Sequence, residues 1–201
     1  MAVNAYFRTS TDKVVLPIGR GLARAGLTPN GITTLGLLGV ILGITILLLG
    51  RPVLGGWIVA FATILDAFDG TVARLTDSQT EMGAFYDSVA DRVADATIFA
   101  ACAWVARDQP LVFTGVMIAF ATALITSYIR AKAESLGFDA TVGLIERPER
   151  VAIILPALGY GFLGWGAWLL AVGGAITIAQ RLHAVMSQAR ERADERTSDE
   201  R

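Results

Sequence analysis

Four carboxylates stand at helical spacing inside stretches that are otherwise apolar: Asp66 and Asp69 in the string Asp66-Ala67-Phe68-Asp69-Gly70-Thr71-Val72-Ala73-Arg74, then Asp87 and Asp91 after Gly83. An ionised carboxylate exposed to lipid is costly, so such groups have a functional partner. Four of them converging without cations would repel, and some would have to protonate. Two Mg²⁺ or Mn²⁺ ions would neutralise them, and hard cations held by carboxylates also coordinate phosphate oxygens. Arg74 adds a phosphate-binding guanidinium beside them. The chemistry implied is on a phosphoanhydride or phosphodiester at a membrane surface.

Helices must present these groups. At about 100° per residue, Asp66, Asp69, Gly70 and Ala73 fall within an arc of about 100°. Two carboxylates thus share a face with two residues that have almost no side chain, a metal platform beside a cleared groove. Gly83, Asp87 and Asp91 repeat the pattern at i, i+4 and i+8 on the next helix. The linker from Leu75 to Met82 is short and polar, which makes the two helices antiparallel neighbours with acidic faces able to meet.

The rest of the chain has the composition of an integral membrane protein. Of 201 residues 54% are apolar, mean hydropathy is +0.55, and 17% are charged, against about 25% in soluble domains. A net charge of −1 hides strong segregation of charge and gives no pointer to nucleic acid. The one cysteine, Cys102, lies in an apolar stretch and reads as a buried, inert thiol. Residues 1–29 are polar and contain no signal-peptide pattern.

Runs of about 20 apolar residues cross a bilayer as helices. Six are expected, over 31–49, 54–74, 84–106, 110–133, 149–164 and 166–186. Residues 11–26 read as an amphipathic helix lying in the interface, and Leu27-Thr28-Pro29-Asn30 turns the chain into the first span. The division is a juxtamembrane segment (1–29), a six-helix domain (30–186) and a charged tail (187–201), a solvated helix end that frays into disorder. Lys and Arg set the orientation. Arg8, Lys13, Arg20 and Arg24, Arg74, the Arg130–Arg150 loop and the basic residues from Arg181 onward all fall on one side, against Arg51 and Arg107 on the other. The basic side is cytoplasmic, which puts both termini and the acidic motif at the cytoplasmic face of the plasma membrane. Gly39 and Gly43, with Gly36 nearby, form a small-residue face for close helix packing, within a subunit or across a dimer. Trp57, Trp104, Trp165 and Trp168 suit an aromatic belt at the opposite face.

The full string, Asp66-x2-Asp69-Gly70-x2-Ala73-Arg74-x8-Gly83-x3-Asp87-x3-Asp91, resembles the signature of the CDP-alcohol phosphotransferases. The resemblance implies an all-α fold of six transmembrane helices, usually a homodimer, with a polar cavity facing the cytoplasm. It implies that Asp66, Asp69, Asp87 and Asp91 are the metal ligands and that Asp91 is also the general base. It implies that Gly70, Ala73 and Gly83 leave room for the nucleotide of CDP-diacylglycerol, that Arg74 holds its diphosphate, and that Pro29 and Asn30 border the pocket. An acceptor hydroxyl would attack the lipid-side phosphorus and CMP would leave.

The acceptor is not coded in that motif. Ser127-Tyr128-Ile129-Arg130-Ala131-Lys132, then Gly143-Leu144-Ile145-Glu146-Arg147-Pro148-Glu149-Arg150, then Gln180-Arg181, resemble the actinobacterial members that act on inositol 1-phosphate. A phosphorylated acceptor needs an anion pocket of its own, which Ser127, Arg130, Lys132, Arg147, Arg150 and Arg181 have the chemistry to build. Ser127, Arg150 and Arg181 come first by resemblance. The positive-inside rule alone also places cations here. Glu146 and Glu149 read as partners that orient the arginines, and His183, the only histidine, as an interfacial residue. Glycerol 3-phosphate or free inositol remain same-class alternatives. A divalent-cation transporter is a different-class one, opposed by the absence of acids in the outer half of the second and third spans.

Overall fold

The computed structural model describes residues 15–199, with side chains as far as residue 195. It is helical, with no strand among the described residues. The helices are α1 (15–24), α2 (Pro29–Leu48), α3 (Pro52–Asp66), α4 (Asp69–Leu75), α5 (Glu81–Ala106), α6 (Pro110–Ser135), α7 (Arg147–Gly159) and α8 (Leu163–Asp199). Among the described residues, four segments are long and apolar enough to cross a membrane: Pro29–Leu48, Pro52–Leu75, Pro110–Ser135 and Leu163–Glu195. Of the other two expected spans, α5 is 26 residues long but contains Asp87, Asp91, Arg92 and Asp95. The other, α7, has 13 residues, about 20 Å of helix. Of the expected interfacial helix, residues 11–14 lie outside the described residues.

The chain divides into two compact units between Ile98 and Phe99, inside α5. In the first unit, α2 packs along α3 and touches α4. Thr28 caps α2, its hydroxyl accepting from the Gly31 amide at 3.2 Å, and Pro29 takes the first helical position. The expected small-residue face is used within this unit. A methyl at Gly39 would stand 2.7 Å from Ala62 Cβ, and one at Gly43 2.7 Å from Val59 Cγ2. Backbones that close gain dispersion contacts along their whole length, the main attraction available between helices in lipid. Helix α1 rests on α4, where a methyl at Gly19 would meet Thr71 Cγ2 at 2.8 Å.

In the second unit α8 packs on α6 and α7. Its glycines face small gaps: a methyl at Gly166 would meet Ala157 Cβ at 2.5 Å, and one at Gly173 Ile145 Cγ1 at 2.5 Å. Cys102 is fully buried, and Trp57, Trp104 and Trp165 are exposed while Trp168 lies against Gly115.

Two local features depart from the sequence expectation. The second predicted helix is not continuous: Phe68 N–H bonds to the Leu65 carbonyl at 3.1 Å, a tightened turn that ends α3 at Asp66 and restarts α4 at Asp69. The turn before α8 falls at 160–162, not at 165, because Gly161 takes a left-handed conformation (φ 84°). The segment after residue 186 is helical to Asp199, in line with the helix end expected there; it is rich in Ala, Arg and Glu, which are strong helix formers.

Candidate active site

The interruption at Ala67 and Phe68 sets the site. It turns Asp69 away from the course a straight helix would give, so that Asp66 closes α3 and Asp69 opens α4. Asp66 is 7% exposed. Its space is cleared by Gly36 of α2, where a methyl would stand 2.9 Å from Asp66 Cβ and 3.0 Å from its Oδ1. Asp69 is oriented from two sides: the Thr33 hydroxyl donates to Oδ2 at 2.8 Å, and the Gly70 amide donates to Oδ1.

Asp66, Asp69 and Asp87 each offer a carboxylate oxygen, and the three oxygens lie within 4.8 Å of one another. A divalent cation holds oxygen ligands at about 2.0–2.6 Å, so two of its ligands stand at most about 5 Å apart. The cluster therefore fits such an ion by distance and by donor chemistry. Asp91 lies one turn along α5 from Asp87 and outside this close group; Arg92 Nη2 approaches its Oδ2 at 3.6 Å.

A cavity of about 740 Å³ opens beside the cluster. Pro29, Asn30, Gly70, Ala73, Arg74 and Gly83 all line it, with Asp69 and Asp87. Gly70 leaves open wall, since a methyl there would meet only Arg74 Nη1, at 3.6 Å. Gly83 is tighter, with Thr80 Oγ1 at 3.0 Å and Asn30 Oδ1 at 3.4 Å from a methyl's position. Arg74 Nη2 donates to the Thr71 hydroxyl at 3.1 Å, leaving further N–H groups for an anion.

The residues expected to hold a second anion divide into two sets. Ser127, Arg150 and Arg181 converge on one turn of α6. Ser127 Oγ donates to the Ala123 carbonyl at 2.9 Å, and Arg150 Nη1 donates to that carbonyl at 3.1 Å and to Thr126 Oγ1 at 3.3 Å. Arg181 is 4% exposed and donates to the Thr126 carbonyl at 2.7 Å, the Val142 carbonyl at 2.8 Å and Glu146 Oε1 at 3.1 Å. Arg130 and Lys132 lie further along α6 and are exposed, Arg130 paired with Glu134 at 2.9 Å. Arg147 is half-buried at the start of α7. Glu149 serves the helix start. Its carboxylate accepts from the Glu146 amide at 3.0 Å and caps α7.

Several residues escaped the sequence reading. Thr33 is invisible as a ligand-orienting group until α2 and α4 are side by side, although it sits one turn from Pro29 on the same face. Asp95 had a signal: positions 87, 91 and 95 continue the i+4 row. It is 3% exposed, and Arg92 Nη1 lies 3.9 Å from its Oδ2.

Residues 26–180 match the family described as CDP-alcohol phosphatidyltransferase. The chain is 38% identical over 192 residues to a phosphatidylinositol phosphate synthase of Mycobacterium tuberculosis, covering 89% of this chain and 88% of the relative. It is 34% identical over 197 residues to the enzyme of that name from Mycolicibacterium smegmatis, covering 90% and 89%. Among solved structures it is similar to the M. tuberculosis phosphatidylinositol phosphate synthase with CDP-DAG bound (TM-score 0.76, 38% identity, 86% of this chain and 94% of that one). It is similar also to that protein in complex with manganese and citrate (TM-score 0.77, 37% identity, 86% and 88%).

Proposed function

The chain belongs to the CDP-alcohol phosphatidyltransferase family, a family of enzymes, and we propose that it is a phosphatidylinositol phosphate synthase. It transfers the diacylglycerol-phosphate group of CDP-diacylglycerol to inositol 1-phosphate and releases CMP. One observation carries the reading: the motif carboxylates Asp69 and Asp87 share a cavity wall with Gly70, Ala73, Arg74 and Gly83. The similarity to a solved synthase with CDP-DAG bound supports the lipid assignment.

In this reading Asp66, Asp69, Asp87 and Asp91 hold two divalent cations, Mg²⁺ or Mn²⁺. When bound, these supply charge stabilisation at the transferred phosphoryl and the leaving phosphate. Arg74 grips the diphosphate while the bare backbone at Gly70 and Gly83, with Pro29 and Asn30, borders the nucleotide. The acceptor oxygen bonds to the lipid-side phosphorus, the bond from that phosphorus to the CMP oxygen breaks, and Asp91 takes the hydroxyl proton. Ser127, Arg150 and Arg181, with Arg130, Lys132 and Arg147 around them, hold the acceptor phosphate.

The enzyme is a multi-pass membrane protein. Six spans over 30–186, an interfacial helix in 1–29, both termini and the site at the cytoplasmic face of the plasma membrane, a charged segment over 187–201 and a homodimer complete the proposal. The test is an acceptor panel on purified protein with CDP-diacylglycerol and Mg²⁺, reading CMP. Release is expected with inositol 1-phosphate and to stop with a chelator. Release with glycerol 3-phosphate or free inositol instead would overturn the acceptor assignment.

A further inference from the structure

The reaction as proposed makes no use of the end of α8, yet that end is built into the second unit. Thr177, Arg181, Gln188 and Arg192 recur at intervals of four, seven and four residues. At about 100° per residue they form a stripe about 60° wide on one face of the helix. Each grips the loop from Leu136 to Glu146. The Thr177 hydroxyl accepts from the Ile145 amide at 3.0 Å, and Arg181 holds the Val142 carbonyl and Glu146. The Gln188 side-chain amide makes a two-point pairing with Asp139: Oε1 accepts from its N–H at 2.9 Å and Nε2 donates to its carbonyl at 2.7 Å. Arg192 donates to the Leu136 and Gly137 carbonyls, and its guanidinium lies 4.1 Å from the centre of the Phe138 ring. Gly143 lies flat on the stripe, since a methyl there would meet Thr177 Cγ2 at 2.6 Å.

We propose that Gln188 and Arg192 are positioning residues for the phosphorylated acceptor, clamping the 136–146 loop so that Arg181 and Glu146 stay aligned. The inference rests on the reading of Arg181 as part of the acceptor site. A loop of this length pays conformational entropy for every residue it orders. With the far half of the loop pinned by Gln188 and Arg192, the near half at Val142 and Glu146 is already ordered when the acceptor arrives, and less affinity is lost to ordering. Both clamp residues lie beyond the 26–180 segment that matches the family, as Arg181 does.

The test uses the full chain in detergent micelles with CDP-diacylglycerol, inositol 1-phosphate and Mg²⁺. Gln188→Ala and Arg192→Ala are each expected to raise the acceptor KM by about five- to tenfold, the loss of one or two hydrogen bonds. The CDP-diacylglycerol KM and the unfolding temperature stay near wild type. Amide hydrogen exchange over 136–146 is expected to speed up in both. Arg192→Lys keeps the charge but not the fork and stays impaired. Faster exchange with an unchanged acceptor KM, or equal rises in both KM values, overturns the clamp. Arg181→Gln in parallel separates the failures. A raised acceptor KM there, with Gln188→Ala and Arg192→Ala like wild type, overturns the clamp alone. No change in all three overturns the acceptor reading beneath it and the clamp with it.

Discussion

The Thr33 hydroxyl stands 2.8 Å from Oδ2 of Asp69, thirty-six positions away in sequence, and ties α2 to the first residue of α4. Because Oδ1 already accepts from the Gly70 amide, this bond fixes the second oxygen and hence the direction in which the carboxylate faces its partners. Thr33→Val should raise the Mg²⁺ concentration needed for half-maximal turnover and lower kcat/KM by about tenfold, the scale of one hydrogen bond to a charged group. Thr33→Ser should remain close to wild type. A Mg²⁺ titration of CMP release checks both.

Asp91 lies on the row that begins at Asp87 but outside the close group of three carboxylates. Asp91→Asn preserves shape and removes the proposed base. Turnover should fall by about a hundred- to ten-thousand-fold, with the unfolding temperature unchanged. Near-normal turnover would remove Asp91 from the mechanism.

Arg181 holds the Val142 and Thr126 carbonyls and is the proposed grip on the acceptor phosphate, and its variant should reveal both. Arg181→Gln should raise the acceptor KM far more than the CDP-diacylglycerol KM. It should also lower stability, by about 1–3 kcal/mol, because the Val142 and Thr126 carbonyls lose their donors. Kinetics with each substrate varied, together with thermal unfolding, separate the two effects. Equal changes in both KM values would sink the idea of a separate acceptor pocket.

Gly43 and Gly56 offer a paired test of helix packing. A methyl at Gly43 would meet Val59 Cγ2 at 2.7 Å and the Gly55 carbonyl oxygen at 2.8 Å, and backbone cannot move aside. Gly43→Ala should destabilise by about 1–3 kcal/mol. At Gly56 nothing lies within 4 Å, so Gly56→Ala should be neutral or stabilising by up to about 1 kcal/mol through helix propensity. Thermal unfolding in one detergent compares them, and equal effects would refute the packing role.

Metal removal completes the set. A chelator should abolish CMP release, and Mg²⁺ or Mn²⁺ should restore it; turnover that persists without divalent cations would overturn the role given to Asp66, Asp69 and Asp87.

Much of the site was legible before any fold was known. The Asp66–Asp91 row, the glycines beside it and Arg74 are local patterns, and family membership follows from them. Thr28-Pro29 announced the start of α2, and Gly39 and Gly43 its packing face. The row also continued to Asp95, a signal that a fixed motif length hid. Thr33 carried no such signal, because its partner belongs to another helix.

The amino-acid sequence by itself determined which groups carry charge in an apolar chain, and at what helical phase, because burial cost and the helical period act on neighbouring residues. Tertiary structure decided what those groups touch. The tightened turn at Ala67 and Phe68 aims Asp69, the Thr126 and Val142 carbonyls take up Arg181, and Gln188 and Arg192 bind a loop about fifty positions away. Those bonds depend on distances between helices remote in sequence, which local periodicity does not specify. The charged helix end after residue 186 reads as solvated, and its contacts through Gln188 and Arg192 appear only where the loop lies beside it.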